Sequence, residues 1–529
     1  METVHDRAKP DIMVALSGGG HRATLFGLGV LLALVDLGLN RRVVQIASVS
    51  GGSITNAYVA LRSRFENETP ESFDRVVNDL VSIVVNRGVL TTPWLAALAA
   101  AAVAPPIILA LTCFAGCTPP LKVTLPILTV WLTLLLLRGL IVEKLLSFRY
   151  LRHNGRSARF EDLQANGVEH VICSTDLAHG KPCYFSSWEK GTIYVRTHDY
   201  FGLGRLIPKL PLEVAVRASA GFPGIPPKRL PLENFKGKPK KSFTFGGRLR
   251  SPKPERVARA PTVYLADGGV WNNLATQALL EDEYFRGEDN SLHVPSIALV
   301  ANGSAALDAV SSWPFCIPGW AEIRALLRIA TVQNANTVTP RAQALKRALF
   351  DSVIDDRAPN IRRLWSIVVD ISQSPQQAMR EWSLPFSHAY AFPLRSPEQR
   401  RWRGKLASDL CKWWWGHLKA KSPGPDLNAL YELVRDAVEN RPPSRKVEGL
   451  DRLSHLKGHA AFSTLCELCA GEPEKVPTTL GRIPKTVAST LLARGYANTL
   501  VAAFAFELIG WDELEAATLT KERLEALIS

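Results

Sequence analysis

Along the first ninety positions the apolar residues fall into short continuous runs and longer helical stretches, in the order strand, helix, strand, helix. Residues 11–16 (Asp-Ile-Met-Val-Ala-Leu) form an apolar run bounded by Pro10 and Ser17-Gly18-Gly19-Gly20, which suits a buried parallel strand. From His21 to Gly38, Leu25, Leu28, Leu32 and Val35 recur at helical spacing. Phe26, Val30, Leu34 and Leu37 occupy the other faces, so the pattern predicts a helix buried nearly all round. Arg42 to Val49 reads as a second apolar strand, and Gly51-Gly52-Ser53 opens a helix that runs to about Arg62. Six later runs, Glu169–Thr175, Pro182–Ser186, Thr192–Arg196, Val263–Ala266, Pro295–Ala301 and Leu364–Ile371, read as strands separated by helical stretches. Thr478 to Ser529 is mainly helical in pattern. The fold class is therefore α/β with a mainly parallel sheet and a mainly helical C-terminal part.

A different pattern interrupts this alternation. No charged residue lies between Gly88 and Leu121, and Leu121 to Val142 is broken only by Lys122 and Arg138. Each stretch is long enough to cross a ~30 Å hydrocarbon layer, which predicts a transmembrane or membrane-embedded helical hairpin at 91–146. Pro105-Pro106 in mid-span also admits a re-entrant or buried pair. Arg87 precedes the hairpin and Lys144, Arg149, Arg152 and Arg156 follow it. The positive-inside rule then places both flanks, and with them the α/β body, on the cytoplasmic face of the membrane. The expected organisation is a core at 1–90, the hairpin at 91–146, the core resumed at 147–400 and a helical region at 401–529.

Composition sharpens this reading in places. The 529 residues hold 63 Lys and Arg against 49 Asp and Glu, a balance of +14 that favours polyanionic partners. Residues 228–259 carry eleven basic side chains against Glu233 and Glu255, with many prolines and glycines. This reads as a basic loop, and its sharper use is contact with an anionic membrane surface. No nucleic-acid reading module is recognisable, so no specific nucleic-acid partner is expected. Trp413-Trp414-Trp415 between Lys412 and His417 fits an interface or interdomain packing. Cys466 and Cys469 form a lone C-x-x-C without a second pair, so no metal is assigned, and no cofactor is implied.

The chemistry gathers in two glycine-rich turns and one aspartate. Ser48-Val49-Ser50-Gly51-Gly52 places Ser50 on a strand-to-helix turn, the nucleophile-elbow pattern, with Ser48 where the leading glycine usually stands. Gly18, Gly19 and Gly20 put side-chain-free amides at the amino end of a buried helix, a candidate oxyanion hole. The same stretch satisfies G-x-G-x-x-A, but the second strand ends in Ser48-Val49-Ser50 rather than an acidic residue, so dinucleotide binding is disfavoured. Asp267, followed by Gly268 and Gly269, closes a later apolar strand.

In that order the three elements resemble the patatin-like phospholipases, which share their Ser/Asp logic with the cytosolic phospholipase A2 enzymes. Ser174-Thr175-Asp176-Leu177, Arg217 to Pro223, Val476 to Leu480 and Arg494-Gly495-Tyr496 extend the resemblance. It implies a patatin-like three-layer sandwich and a serine acyl hydrolase in which Ser50 attacks an ester carbonyl and Asp267 takes its proton. It also implies that Gly18, Gly19 and Gly20 hold the oxyanion, that Arg22 fixes the glycine loop or meets a lipid phosphate, and that membrane phospholipid is the substrate. A catalytically silent scaffold of the same fold and a neutral-lipid lipase are the alternatives. Control by a regulatory ligand or partner is expected, with no residue attached to it.

Overall fold

The computed structural model describes most of residues 12–89, 121–221 and 227–239, then 262–276, 297–304, 365–382 and most of 460–529, with isolated positions elsewhere. The chain opens with β1 (Ile12–Leu16), α1 (Gly20–Asp36), β2 (Val43–Ser48), α2 (Gly51–Arg62) and α3 (Pro70–Asn86). After α4 (Leu121–Tyr150) come the short pair β3 (Arg152–His153) and β4 (Arg156–Ser157). Then follow β5 (Glu169–Asp176), β6 (Lys181–Ser186), β7 (Thr192–Arg196), β8 (Tyr200–Arg205) and α5 (Leu212–Ser219). Next are β9 (Lys228–Pro231), β10 (Lys236–Pro239), β11 (Thr262–Asp267), α6 (Gly269–Asn272), β12 (Ile297–Asn302), β13 (Trp365–Asp370) and α7 (Pro375–Trp382). Helices α8 (Ala460–Leu468), α9 (Lys485–Ala505) and α10 (Lys521–Ile528) end the chain.

One mixed sheet runs in the order β10-β8-β7-β6-β5-β2-β1-β12-β13, with β11 pairing both β5 and β9. The pairs from β5 through β2, β1 and β12 to β13 are parallel, and those on the β6 to β10 side are antiparallel. Strand periodicity divides the core. Ile12, Val14 and Leu16 join the larger cluster with the helices, whereas Met13 and Ala15 join a smaller one with Leu274 and Ala275 on the opposite face. The chain is thus an α/β sandwich with a helical C-terminal region.

Helix α1 explains its own apolar pattern. The β1 face of the sheet lies on one side of it and α9 crosses the other, so every residue from Gly20 to Val35 is buried. The crossing is close because both helices present glycine. A Cβ on Gly29 would lie 2.1 Å from the carbonyl oxygen of Leu492, and one on Gly495 2.2 Å from that of Phe26. Burial of Leu25, Phe26, Leu28, Leu31 and Leu32 contributes on the order of 1.5–3 kcal/mol each. Tyr496 donates its hydroxyl to Asp36 at 2.8 Å, and Arg523 of α10 binds both Asp36 and Asp74, fastening the C-terminal helices to α1 and α3.

Two expectations change. Residues 228–259, expected as a loop, contain β9 and β10. Strand β10 is only four residues long and ends at Pro239 on the sheet edge, where short strands, lysine and proline discourage further pairing. A basic, proline-bearing composition therefore concealed an edge strand.

The second change is a correction. No helix among the described residues is long and apolar enough to cross a membrane. This overturns the transmembrane helix and the membrane placement with a cytoplasmic-facing body. The first half of the expected hairpin lies outside the described residues except for isolated positions. Its second half is α4, and the physical reason is visible in its last turns. Val142, Leu146 and Tyr150 are buried against the α/β body. Glu143, also buried, accepts from Arg217 at 3.0 Å and Lys228 at 2.8 Å. An apolar window over 121–142 registers side-chain hydropathy but not that the end of the helix belongs to the protein core. The segment around Trp413–Trp415 likewise lies outside the described residues.

Candidate active site

The turn after β2 is built by close backbone approach. Ser50 adopts φ 51° and ψ −116°, a conformation costly for a residue with a Cβ, on the order of 1–3 kcal/mol, which persists only where the surroundings enforce it. A Cβ on Gly51 would lie 2.0 Å from the carbonyl oxygen of Gly20, and one on Gly52 2.6 Å from that of Leu16. Side chains at either position would push the elbow away from the glycine loop. Ser48 is accommodated because its hydroxyl has partners: it donates to the Val171 carbonyl at 3.0 Å and accepts from Asn56 at 2.9 Å.

Asp267 reaches Ser50 through the topology of β5. Along one edge of β5, β2 pairs as far as Ile172 and β11 takes over from Ser174, running antiparallel so that its last residue, Asp267, lies opposite Ser174. The end of β2 and the end of β11 therefore meet head to head. The Ser50 hydroxyl lies beside the Asp267 carboxyl, close enough to oppose the rise in its pKa. The Gly269 amide donates to Oδ1 of Asp267 at 2.7 Å, and Thr175 donates to its main-chain carbonyl at 2.9 Å. Both Ser50 and Asp267 are more than nine-tenths buried. That burial pushes the Asp267 carboxyl up from 3.8 to about 6, against the opposing pull of the Gly269 amide and the Ser50 hydroxyl.

The glycine loop lies against this pair but its three amides are not equivalent. Gly18 N–H donates to the Asn273 carbonyl at 3.0 Å, which ties the loop to the turn after Asp267. Gly19, at φ 145°, makes no backbone hydrogen bond through its N–H among the described residues, and Gly20 N–H is one of the orphan donors of the first turn of α1. Gly20, at φ 60°, is also covered from above, since a Cβ there would lie 2.4 Å from the Thr479 carbonyl oxygen. Arg22 is fully buried. Its guanidinium donates to the carbonyls of Gly303, at 2.9 Å, and Val476, with Thr478 Oγ1 at 3.5 Å. It clamps the segment 476–479 and the end of β12 onto the start of α1.

Histidines play another part. His21 donates from Nδ1 to the Gly481 carbonyl at 2.6 Å, which leaves Nε2 to accept the Tyr150 hydroxyl at 2.8 Å. Burial lowers its pKa to about 4, so it is neutral. His170 bonds Asn56 Oδ1 at 2.7 Å and burial lowers it to about 3. Among the described residues, no histidine hydrogen-bonds to Ser50 or Asp267. Two side chains to which the sequence assigned no role complete the geometry. Asn273 donates to Ser304 at 2.7 Å, and Ser219 Oγ accepts the Ser50 amide at 2.9 Å. Ser219 lies in the stretch Arg217 to Pro223 that extends the family resemblance, which gave it no role of its own.

Fold and geometry together define an α/β-layered protein organised around a strand–turn–helix serine with a buried carboxyl beside it. A family model described as patatin-like phospholipase matches residues 14–280, just over half of the chain. The chain belongs to the patatin-like phospholipase family, a family of hydrolases. No curated protein matches it. Among solved structures it is similar to human GIVD cytosolic phospholipase A2, at 13% identity over 61% of this chain and 49% of that one, with a TM-score of 0.33. It is also similar to VipD from Legionella pneumophila, at 12% identity over 95% of this chain and 92% of that one, with a TM-score of 0.25. The chain thus spans about half the length of the human enzyme.

Proposed function

We propose that this protein is a serine acyl hydrolase that cleaves fatty-acyl esters of glycerophospholipids through a Ser50–Asp267 dyad. The observation that supports the reading is the meeting of two strand ends along one edge of β5, which brings the strained Ser50 turn beside the buried Asp267 carboxyl. Above its pKa the carboxylate accepts the Ser50 proton as Oγ attacks the ester carbonyl, and the tetrahedral oxyanion is held by the amides of Gly19 and Gly20. Gly18, whose amide is engaged by Asn273, acts by holding the loop rather than as a donor. Collapse expels the lysophospholipid alkoxide, which takes the proton from Asp267. A water then enters, gives its proton to the carboxylate, attacks the acyl-enzyme and releases the fatty acid, with the proton returning to Ser50. Arg22, sealed away from solvent, serves the loop and not the lipid phosphate.

The test is fatty-acid release from phosphatidylcholine–detergent mixed micelles. Ser50→Ala and Asp267→Asn are each expected to lower it by at least about 10³-fold while the chain still folds. Wild-type turnover in either variant overturns the dyad. Release from triacylglycerol but not from phosphatidylcholine would keep the dyad and replace the substrate class with neutral lipid.

A further inference from the structure

We propose, resting on the hydrolase reading above, that Ser219 is the positioning residue of the Ser50–Asp267 pair. One short segment at the carboxyl end of α5 touches the backbone of both partners. The fully buried Ser219 hydroxyl accepts the Ser50 amide at 2.9 Å. The Ser219 carbonyl accepts the Gly268 amide at 3.2 Å, and two residues later the Gly221 carbonyl accepts the Asp267 amide at 3.3 Å. Ser219 Oγ also donates to the Cys173 carbonyl at 2.6 Å, on the strand that pairs with both β2 and β11. The nucleophile turn, the aspartate turn and their shared neighbour β5 are thereby referred to one residue.

The strain at the elbow gives this contact its purpose. At this strained turn the Ser50 amide makes no backbone hydrogen bond among the described residues, and Ser219 Oγ is the acceptor that meets it. Behind Ser219 lies a row of hydroxyls: Ser53 Oγ is 2.8 Å from Ser219 Oγ and 3.1 Å from Ser48 Oγ. The serine that replaces the leading elbow glycine is therefore the far end of a buried network, which Asn56 closes with a 2.9 Å bond to Ser48. Removing the Ser219 hydroxyl leaves the Ser50 amide without its acceptor and lets the turn relax, which moves Oγ off the carboxylate. Displacements of about 1 Å at a nucleophile cost about 100-fold in rate.

Ser219→Ala and Ser219→Cys in the full-length chain, assayed on phosphatidylcholine–detergent mixed micelles and with a fluorophosphonate probe, test the assignment. Ser219→Ala is expected to lower kcat about 100-fold and to slow labelling in parallel, with KM within about twofold of the wild type. Ser219→Cys, isosteric but a weaker acceptor, is expected to fall between. The acid limb of the kcat profile should also move to higher pH, because the Ser50 hydroxyl is one of the two groups holding the Asp267 carboxyl down. A loss of rate with an unmoved acid limb, or wild-type kcat in both variants, overturns the proposal. Should Ser219→Ala fail to fold, Ser219→Cys decides by the same two readouts. An inactive Ser50→Ala beside Ser219 variants of wild-type rate and profile rejects the positioning role alone, whereas an active Ser50→Ala rejects the dyad itself.

Discussion

Helices α1 and α4 start from the same kind of sequence, long, apolar and without a polar stripe, and reach opposite fates. Every residue of α1 from Gly20 to Val35 is buried, whereas α4 leaves Leu125, Leu128, Leu132, Leu137 and Leu140 exposed and buries its last turns. The difference lies in small and charged residues, not in hydropathy. Gly29 lets the backbone of α9 close onto α1, where any side chain would meet a carbonyl. Helix α4 instead carries Glu143, and a buried carboxylate must find cations; Arg217 and Lys228 supply them on α5 and β9. Ion pairing draws the end of α4 to the element that holds Ser219, and Tyr150 adds a bond to His21 beside the glycine loop. Hydrophobicity alone says that a segment leaves water. It does not say what the segment meets.

The largest effect is expected at the helix crossing. Gly495→Val is expected to lower stability by more than about 4 kcal/mol or prevent folding, because the new side chain would displace the Phe26 carbonyl region of α1. Urea denaturation checks this. At the foot of α4, Glu143→Ala leaves the buried Arg217 and the half-buried Lys228 without this carboxylate and should cost about 3 kcal/mol. A loss below 1 kcal/mol would show that the foot is held by apolar contact alone.

Titration separates the buried groups further. His21 and His170 are held neutral by burial, with folded pKa values of about 4 and 3, below the ordinary 6.5. A depressed folded pKa contributes stability that is fully present above pH 6.5 and lost as pH falls towards the folded value. Between pH 7 and 5 each histidine should therefore remove on the order of 2 kcal/mol. Asp267 acts in the reverse sense. Its folded pKa of about 6 lies above the ordinary 3.8, so its contribution is greatest below pH 3.8 and declines as pH rises through 6. Asp267→Asn should then gain on the order of 2 kcal/mol over the wild type at pH 8, a gain that shrinks towards pH 4. Thermal melts of the two proteins at both pH values give the difference. The smallest effect is expected on the outer face of α4, where Leu128→Ser should change stability by less than about 0.5 kcal/mol, since the side chain is already exposed.

Much of the molecule was legible from residue order. Strand β1, helix α1 and strand β2 follow from apolar runs punctuated by glycine, because burial on both faces requires such runs and tight turns require residues without Cβ atoms. The six later strands fall within one or two residues of their expected places. Ser50, Asp267 and the glycine loop stood out because each closes a strand with a glycine-rich turn. Strands β9 and β10 were hidden because an edge strand is selected against pairing, and its lysines and prolines read as loop.

Sequence alone determined the alternation of strand and helix, the turns and the residue types able to do chemistry, since these depend on neighbours along the chain and on local sterics. Only the tertiary structure decided that β2 and β11 share one edge of β5, that Gly18 is engaged by Asn273 while Gly19 is not, and that Ser219 joins the elbow to the aspartate turn. It also decided that α4 ends in the protein core. Those outcomes depend on contacts between residues separated by up to hundreds of positions. Their free energies come from burial, from partner hydrogen bonds and from buried charge, none of which exists until the layers are packed.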